Sequence, residues 1–79
     1  MKIRGEFTDT FGGESNYSWV RRCELDVPDT LSDRAIVRRI KAELGLTGAR
    51  ASRRENHGDL IALWNLGGSL TVLFITFGD

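Results

Sequence analysis

Cysteine, proline, histidine and methionine each occur once in this chain of 79 residues, and no stretch of it is apolar for long. The lone Cys23 excludes an internal disulfide and every multi-cysteine metal site, and with His57 it leaves a closed zinc site short of ligands. No cofactor is implied. No segment approaches the ~18 consecutive apolar residues of a membrane span, and the polar opening MKIRGEFTDT does not read as a signal peptide. Neither a membrane contact nor export is expected, which leaves a cytoplasmic setting. Long low-complexity runs are missing too, and that argues against disorder. What remains, 41% hydrophobic and 28% charged, is an ordinary globular make-up. The length suits one domain, residues 1–79, whose small core needs no metal or disulfide.

Net charge is the last absence, since Lys and Arg together number 11 and so do Asp and Glu. That zero conceals a segregation. From Met1 to Asp33, Lys2, Arg4, Arg21 and Arg22 are outnumbered by Glu6, Asp9, Glu14, Glu24, Asp26, Asp29 and Asp33. From Arg34 to Arg54, seven basic residues face Glu43 alone, and the remainder is acidic again through Glu55, Asp59 and Asp79. Charge separated in this way steers association with a partner of opposite sign without identifying it.

The basic middle is also where the clearest element lies. In TLSDRAIVRRIKAELGLTG, Thr30 to Gly48, the residues Ile36, Ile40 and Leu44 recur at every fourth position with Val37 beside them, forming one apolar helical stripe. Either Thr30 or Ser32 can cap the first amides, and Asp33 suits the positive helix end. Gly45 supplies the stop, with Leu46 folding back over the last turn. Arg34, Arg38, Arg39 and Lys41 fall on the side away from the stripe, so the outer face is basic.

Strand patterns flank this helix. Met1 to Thr8 alternates, with Ile3, Gly5 and Phe7 on one side. A hairpin loop over Phe11 to Asn16 leads to Tyr17 to Val27, whose odd positions point inward except Arg21, which marks a bulge or sends its guanidinium around an edge. Pro28 and Asp29 end that strand. After the helix, Ala49 to Glu55 reads as a weak strand, followed by a turn at Asn56 to Asp59. A hairpin of Leu60 to Leu66 and Leu70 to Phe77 then turns through Gly67 and Gly68. The last strand is apolar on both faces, so it is central or meets another molecule. The sum is an α+β fold, ββαβββ, a mainly antiparallel twisted sheet with one helix on one face. Five strands at about 4.8 Å spacing span roughly 20 Å, whereas a helix is about 10 Å wide. An uncovered apolar sheet face, and hence a homodimer, is expected.

Candidate chemistry is sparse. Cys23, His57 and Asp59 make a thiol, base and orienter on paper, but the inward register of Cys23 fits an inert core thiol better, and no enzyme is expected. Gly12-Gly13 lacks phosphate-loop spacing and reads as turn glycines. The pairs Arg21-Arg22, Arg38-Arg39 and Arg53-Arg54 suit nucleic acid as well as a solvated, salt-bridged surface. Tyr17 and Trp19 alternate as a base-stacking platform would, yet they share the register of Leu25 and Val27, which favours core packing. The candidate binding residues are Arg34, Arg38, Arg39, Lys41, Arg53 and Arg54.

Three segments, FGGESNYSWVRR (Phe11 to Arg22), SDRAIVRRIKAELGLTG (Ser32 to Gly48) and TVLFITF (Thr71 to Phe77), resemble a group of short bacteriophage proteins. The resemblance implies a phage origin and host cytoplasm but no site residues. In type, by size and lack of a catalytic motif, the chain is also similar to anti-CRISPR and other anti-defence proteins. The expected function is therefore non-enzymatic inhibition of a host protein complex, such as a CRISPR surveillance complex. A small DNA- or RNA-binding module is the second choice and a minor virion component the third.

Overall fold

The computed structural model describes residues 1–78. Alternation at the start of the chain builds β1 (Lys2–Phe11), which turns through Gly12 and Gly13 into β2 (Glu14–Asp26). Both glycines have positive φ, 64° and 84°, a turn whose twist matches that of its strands. The loop is shorter than Phe11 to Asn16 because Phe11 pairs with Glu14 and Thr10 with Ser15. The register runs evenly from Lys2↔Asp26 to Thr8↔Val20 and slips between Thr8 and Thr10. The bulge therefore lies at residues 16–19, where Tyr17 takes φ 56°, and not at Arg21. Arg21 keeps its place in the ladder and donates its guanidinium to the Leu44 carbonyl at the helix end.

Helix α1 (Asp33–Glu43) starts on Ser32, whose hydroxyl accepts from the Ala35 amide at 3.2 Å. It ends as the glycine predicts. Gly45 sits at φ 73°, its amide donates to Ala42 O at 3.2 Å, and the Leu46 amide reaches back to Lys41 O at 2.7 Å, so the last carbonyls are satisfied. Ile36, Ile40 and Leu44 are buried, as the stripe requires.

Beyond the helix come β3 (Arg53–Asn56), β4 (Leu60–Trp64) and β5 (Thr71–Phe77), with a 3₁₀ turn at Leu66–Gly68 between the last two. β3 begins four residues later than Ala49. Ala49 and Ala51 pack against the core, but the Ala49 amide bonds back to Leu46 O and the Arg50 carbonyl is taken by the Gly67 amide. β4 stops at Trp64 because Asn65 turns to φ 55°. The five strands form one antiparallel sheet in the order β2-β1-β5-β4-β3.

That order explains how one helix serves five strands. α1 follows one edge strand and precedes the other, so the chain crosses the width of the sheet between them. Ile3, Phe7, Ile61, Leu63, Leu73 and Ile75 meet Ile36, Ile40 and Leu44 in a single core. β5, apolar on both faces, is the central strand. On the face away from the helix, Val72 and Ala62 are only 0% and 2% exposed. Trp64 and Phe74 stand beside them, their rings edge to face at 6.0 Å, and the Arg53 guanidinium lies 4.8 Å over the Trp64 ring. The C-terminal hairpin therefore shields part of its own second face, while Leu60, Trp64 and Phe74 stay half-buried there, so the expected apolar exposure is reduced.

Candidate binding surface

Residues Arg34, Arg38 and Lys41 recur at helical spacing on the side of α1 away from the stripe. With Val37, Thr47 and Gly48 they line an open cleft of about 350 Å³. Arg34, Arg38 and Arg39 are exposed, and among the described residues none of them forms an ion pair. Three exposed guanidinium groups thus have their forked donors unpaired by any carboxylate among the described residues. Arg39, one position on from Arg38, is turned about 100° around the helix and stays outside the cleft. Lys41 is half-buried and donates its ammonium to Ala49 O, pinning the loop that forms the far wall.

Arg53 and Arg54 do not join this group. Consecutive strand residues point to opposite faces, and the pairings Arg53↔Trp64 and Arg54↔Leu63 separate them accordingly. Arg53 covers Trp64 and approaches Glu55 at 4.0 Å, while Glu55 accepts the Trp64 indole N–H at 2.6 Å. Arg54 donates to Asn56 Oδ1 at 3.2 Å.

The acidic N-terminal hairpin is largely matched from within. Glu24 takes Arg4 at 2.9 Å and Lys2 at 3.5 Å, and hydrogen bonding from Arg4 lowers its pKa. Glu6 accepts from Arg22 at 3.0 Å and from the Tyr17 hydroxyl at 2.7 Å. Asp9 accepts from Asn16 Nδ2 at 2.9 Å, from the Ser18 amide at 3.0 Å and from the Ser18 hydroxyl. The Ser18 hydroxyl, then Asn16, bring the Asp9 carboxyl down to about 2. A surface that mimics nucleic acid needs carboxylates free for a partner, and of the acidic residues on these two strands only Glu14 and Asp26 lack an ion pair or side-chain hydrogen bond among the described residues.

Tyr17 and Trp19 are about half exposed, which corrects their reading as core residues. The bulge turns Tyr17 onto the face of Glu6. Trp19 touches Phe7 at 5.3 Å between ring centroids but has a strand on one side only, because β2 is an edge. Cys23 and His57 belong to opposite edges of the sheet, so the sheet order separates them. Burial pushes the Cys23 thiol up, away from the thiolate that a nucleophile needs. Among the described residues, no group of three His, Cys, Asp or Glu side chains is placed to hold a metal.

Phe11 and Leu70, 79% and 73% exposed, flank a second cleft that also includes Arg53 and Trp64. The sequence places Phe11 in a loop and Leu70 inside a strand, and no pattern in it brings the two together. Among the described residues, no helix is long and apolar enough to cross a membrane. No family model, no curated protein and no solved structure matches the chain.

Proposed function

We propose that this chain is a non-enzymatic docking protein that lays the outer face of α1 on an acidic surface of a larger macromolecular complex. Arg34, Arg38 and Arg39 are the residues that make the contact. In the phage setting suggested by the resemblance, that complex is a host assembly, and the action is inhibition of the anti-CRISPR type. One observation carries the reading: these three arginines are exposed and, among the described residues, lack an ion pair, whereas most acidic side chains of β1 and β2 already have a partner within the chain. Opposite charge steers encounter before any specific contact forms. Lys41, already bonded to Ala49 O, supports the loop beside them.

The partner surface is protein and not bare nucleic acid. Unpaired arginines serve either, but nucleic acid is usually gripped along a stripe of several phosphates with aromatic side chains beside it. Here Arg53 is folded onto Trp64, and Tyr17 is bonded to Glu6. The test compares the wild type with R34E/R38E/R39E, checked for folding by circular dichroism, in capture from nuclease-treated bacterial lysate. A shared set of proteins should be retained by the wild type and lost from the triple variant. Steeply salt-dependent binding of the wild type to plain duplex DNA would instead establish the nucleic-acid reading. Equal retention of the same proteins by both chains would remove α1 from the contact.

A further inference from the structure

We infer that the free edge of β2 pairs antiparallel with the same strand of a second copy, about a two-fold axis through Cys23. The first observation is which backbone groups that edge presents. Met1 and Val27 exchange both of their backbone hydrogen bonds, each at 2.9 Å. In an antiparallel ladder such closely bonded pairs alternate with unbonded ones. Along the even register from Lys2↔Asp26 to Thr8↔Val20, Leu25, Cys23 and Arg21 therefore bond to β1. Val20, Arg22, Glu24 and Asp26 turn their amides and carbonyls outward. An unprotected row of this kind is a template for another strand.

The second observation is charge. Edge strands are commonly kept apart by charged side chains, by proline, by shortness, by a bulge or by an inward-pointing charge. Over residues 20–26 this edge has no proline and no bulge and is not short; its inward-pointing Arg21 is bonded to the Leu44 carbonyl, and its charges are of both signs, Arg21 and Arg22 ahead of Glu24 and Asp26. Outward-facing residues must oppose outward-facing residues, so the two-fold axis passes through a residue and not between two. An axis through Arg22 sets arginine against arginine, an axis through Glu24 sets Glu24 against itself at the centre between two Arg22–Asp26 pairs, and an axis through Leu25 sets Glu24 against Asp26. An axis through Arg21 runs the pairing into the bulge at residues 16–19. Only the axis through Cys23 places Arg22 opposite the second copy's Glu24 and Glu24 opposite the second copy's Arg22. The other edge, β3, has four residues and offers no comparable length.

A two-fold axis normal to the sheet leaves its faces unchanged. The dimer is then one continuous sheet with both α1 helices, and both basic faces, on the same side. This surface is separate from the one proposed for docking and stands whether or not that reading holds.

Sedimentation at high micromolar concentration tests it with four chains. The wild type should be a dimer, and a wild-type monomer overturns the inference. Arg22→Pro removes an amide that points away from β1 together with the Arg22–Glu6 ion pair, and a folded R22P chain should be monomeric. Arg22→Glu leaves the backbone alone but sets a carboxylate at position 22 against the second copy's Glu24 at two places, and should weaken the dimer at least tenfold. R22E tests the register even if R22P fails to fold. A chain carrying F11S and L70S should remain dimeric. Loss of the dimer in that chain, with retention in R22E, would move the interface to the apolar cleft and overturn the edge pairing.

Discussion

At Gly5 the helix side chain Ile40 lies close against the sheet backbone, and replacing the glycine with alanine tests that packing. A Cβ built there would lie 2.7 Å from Ile40 Cγ2 and 3.0 Å from Cys23 Sγ, whereas carbon atoms in good contact are ~3.5–4.0 Å apart. Helix or strand must therefore move by about 1 Å. Ile40 is fully buried, and Cγ2 branches directly from its Cβ, so a simple swing of the side chain does not clear the space. Opposing this is the entropy of the unfolded chain. Gly5 is not among the residues with positive φ, and at such a site Gly→Ala alone stabilises by about 0.4–1 kcal/mol. Overpacking of a well-filled core costs about 1–3 kcal/mol. The clash should win, and Gly5→Ala should lose about 1–2 kcal/mol in a denaturant melt. A double-mutant cycle sharpens the test. Ile40→Ala alone should cost about 2–4 kcal/mol by opening a cavity, and the alanine methyl at residue 5 should then partly fill that cavity, so the double variant loses less than the two single losses together. A Gly5→Ala chain as stable as the wild type, or more so, would refute the close approach.

Three further outcomes follow from other contacts. Arg38→Ala, on the exposed side of the same helix, should cost under about 0.5 kcal/mol, and a loss in melts equal to that of Ile40→Ala would mean the helix is rotated from its described position. Arg21→Ala removes a cation from the C-terminal carbonyls of α1 and should cost about 0.5–1 kcal/mol, with the amide exchange of Leu44 and Gly45 rising more than that of the strands. No change in exchange at those two residues would deny the cap. Asp9 has a folded pKa of about 2 against an ordinary 3.8. Its contribution is therefore complete above about 4 and lost as pH falls through about 2. The Ser18 amide resonance should titrate with a midpoint near 2, and a midpoint near the ordinary value would mean that the bulge is not held by this carboxylate.

The sequence by itself determined the parts whose bonding is local. The helix was legible because the Ser32 cap, the Ile36, Ile40 and Leu44 stripe and the Gly45 stop all act within a turn or two of one another. The first hairpin was legible from alternation and two glycines, and the class ββαβββ followed from counting such units. The basic character of the outer helix face came from the same wheel, and so did the cleft residues Arg34, Arg38 and Lys41.

What the tertiary structure decided depends on contacts distant in sequence. Strand order separated Cys23 from His57, and no local pattern carries that choice, whereas the central place of β5 is legible in its apolar residues on both faces. Alternation places Tyr17 on the wrong face because its bulge is fastened by Asp9, which reaches Asn16 and Ser18 across the hairpin. The segregated charge of the chain stays a basic surface only on α1, where Arg34, Arg38 and Arg39 are exposed and without an ion pair among the described residues. Arg4 meets Glu24 twenty positions away, Arg22 meets Glu6, and Arg53 and Arg54 part to opposite faces. Charge counted along a chain adds up neighbours in sequence, whereas the field a partner meets is the sum over neighbours in space, and only the folded sheet sets which charges cancel.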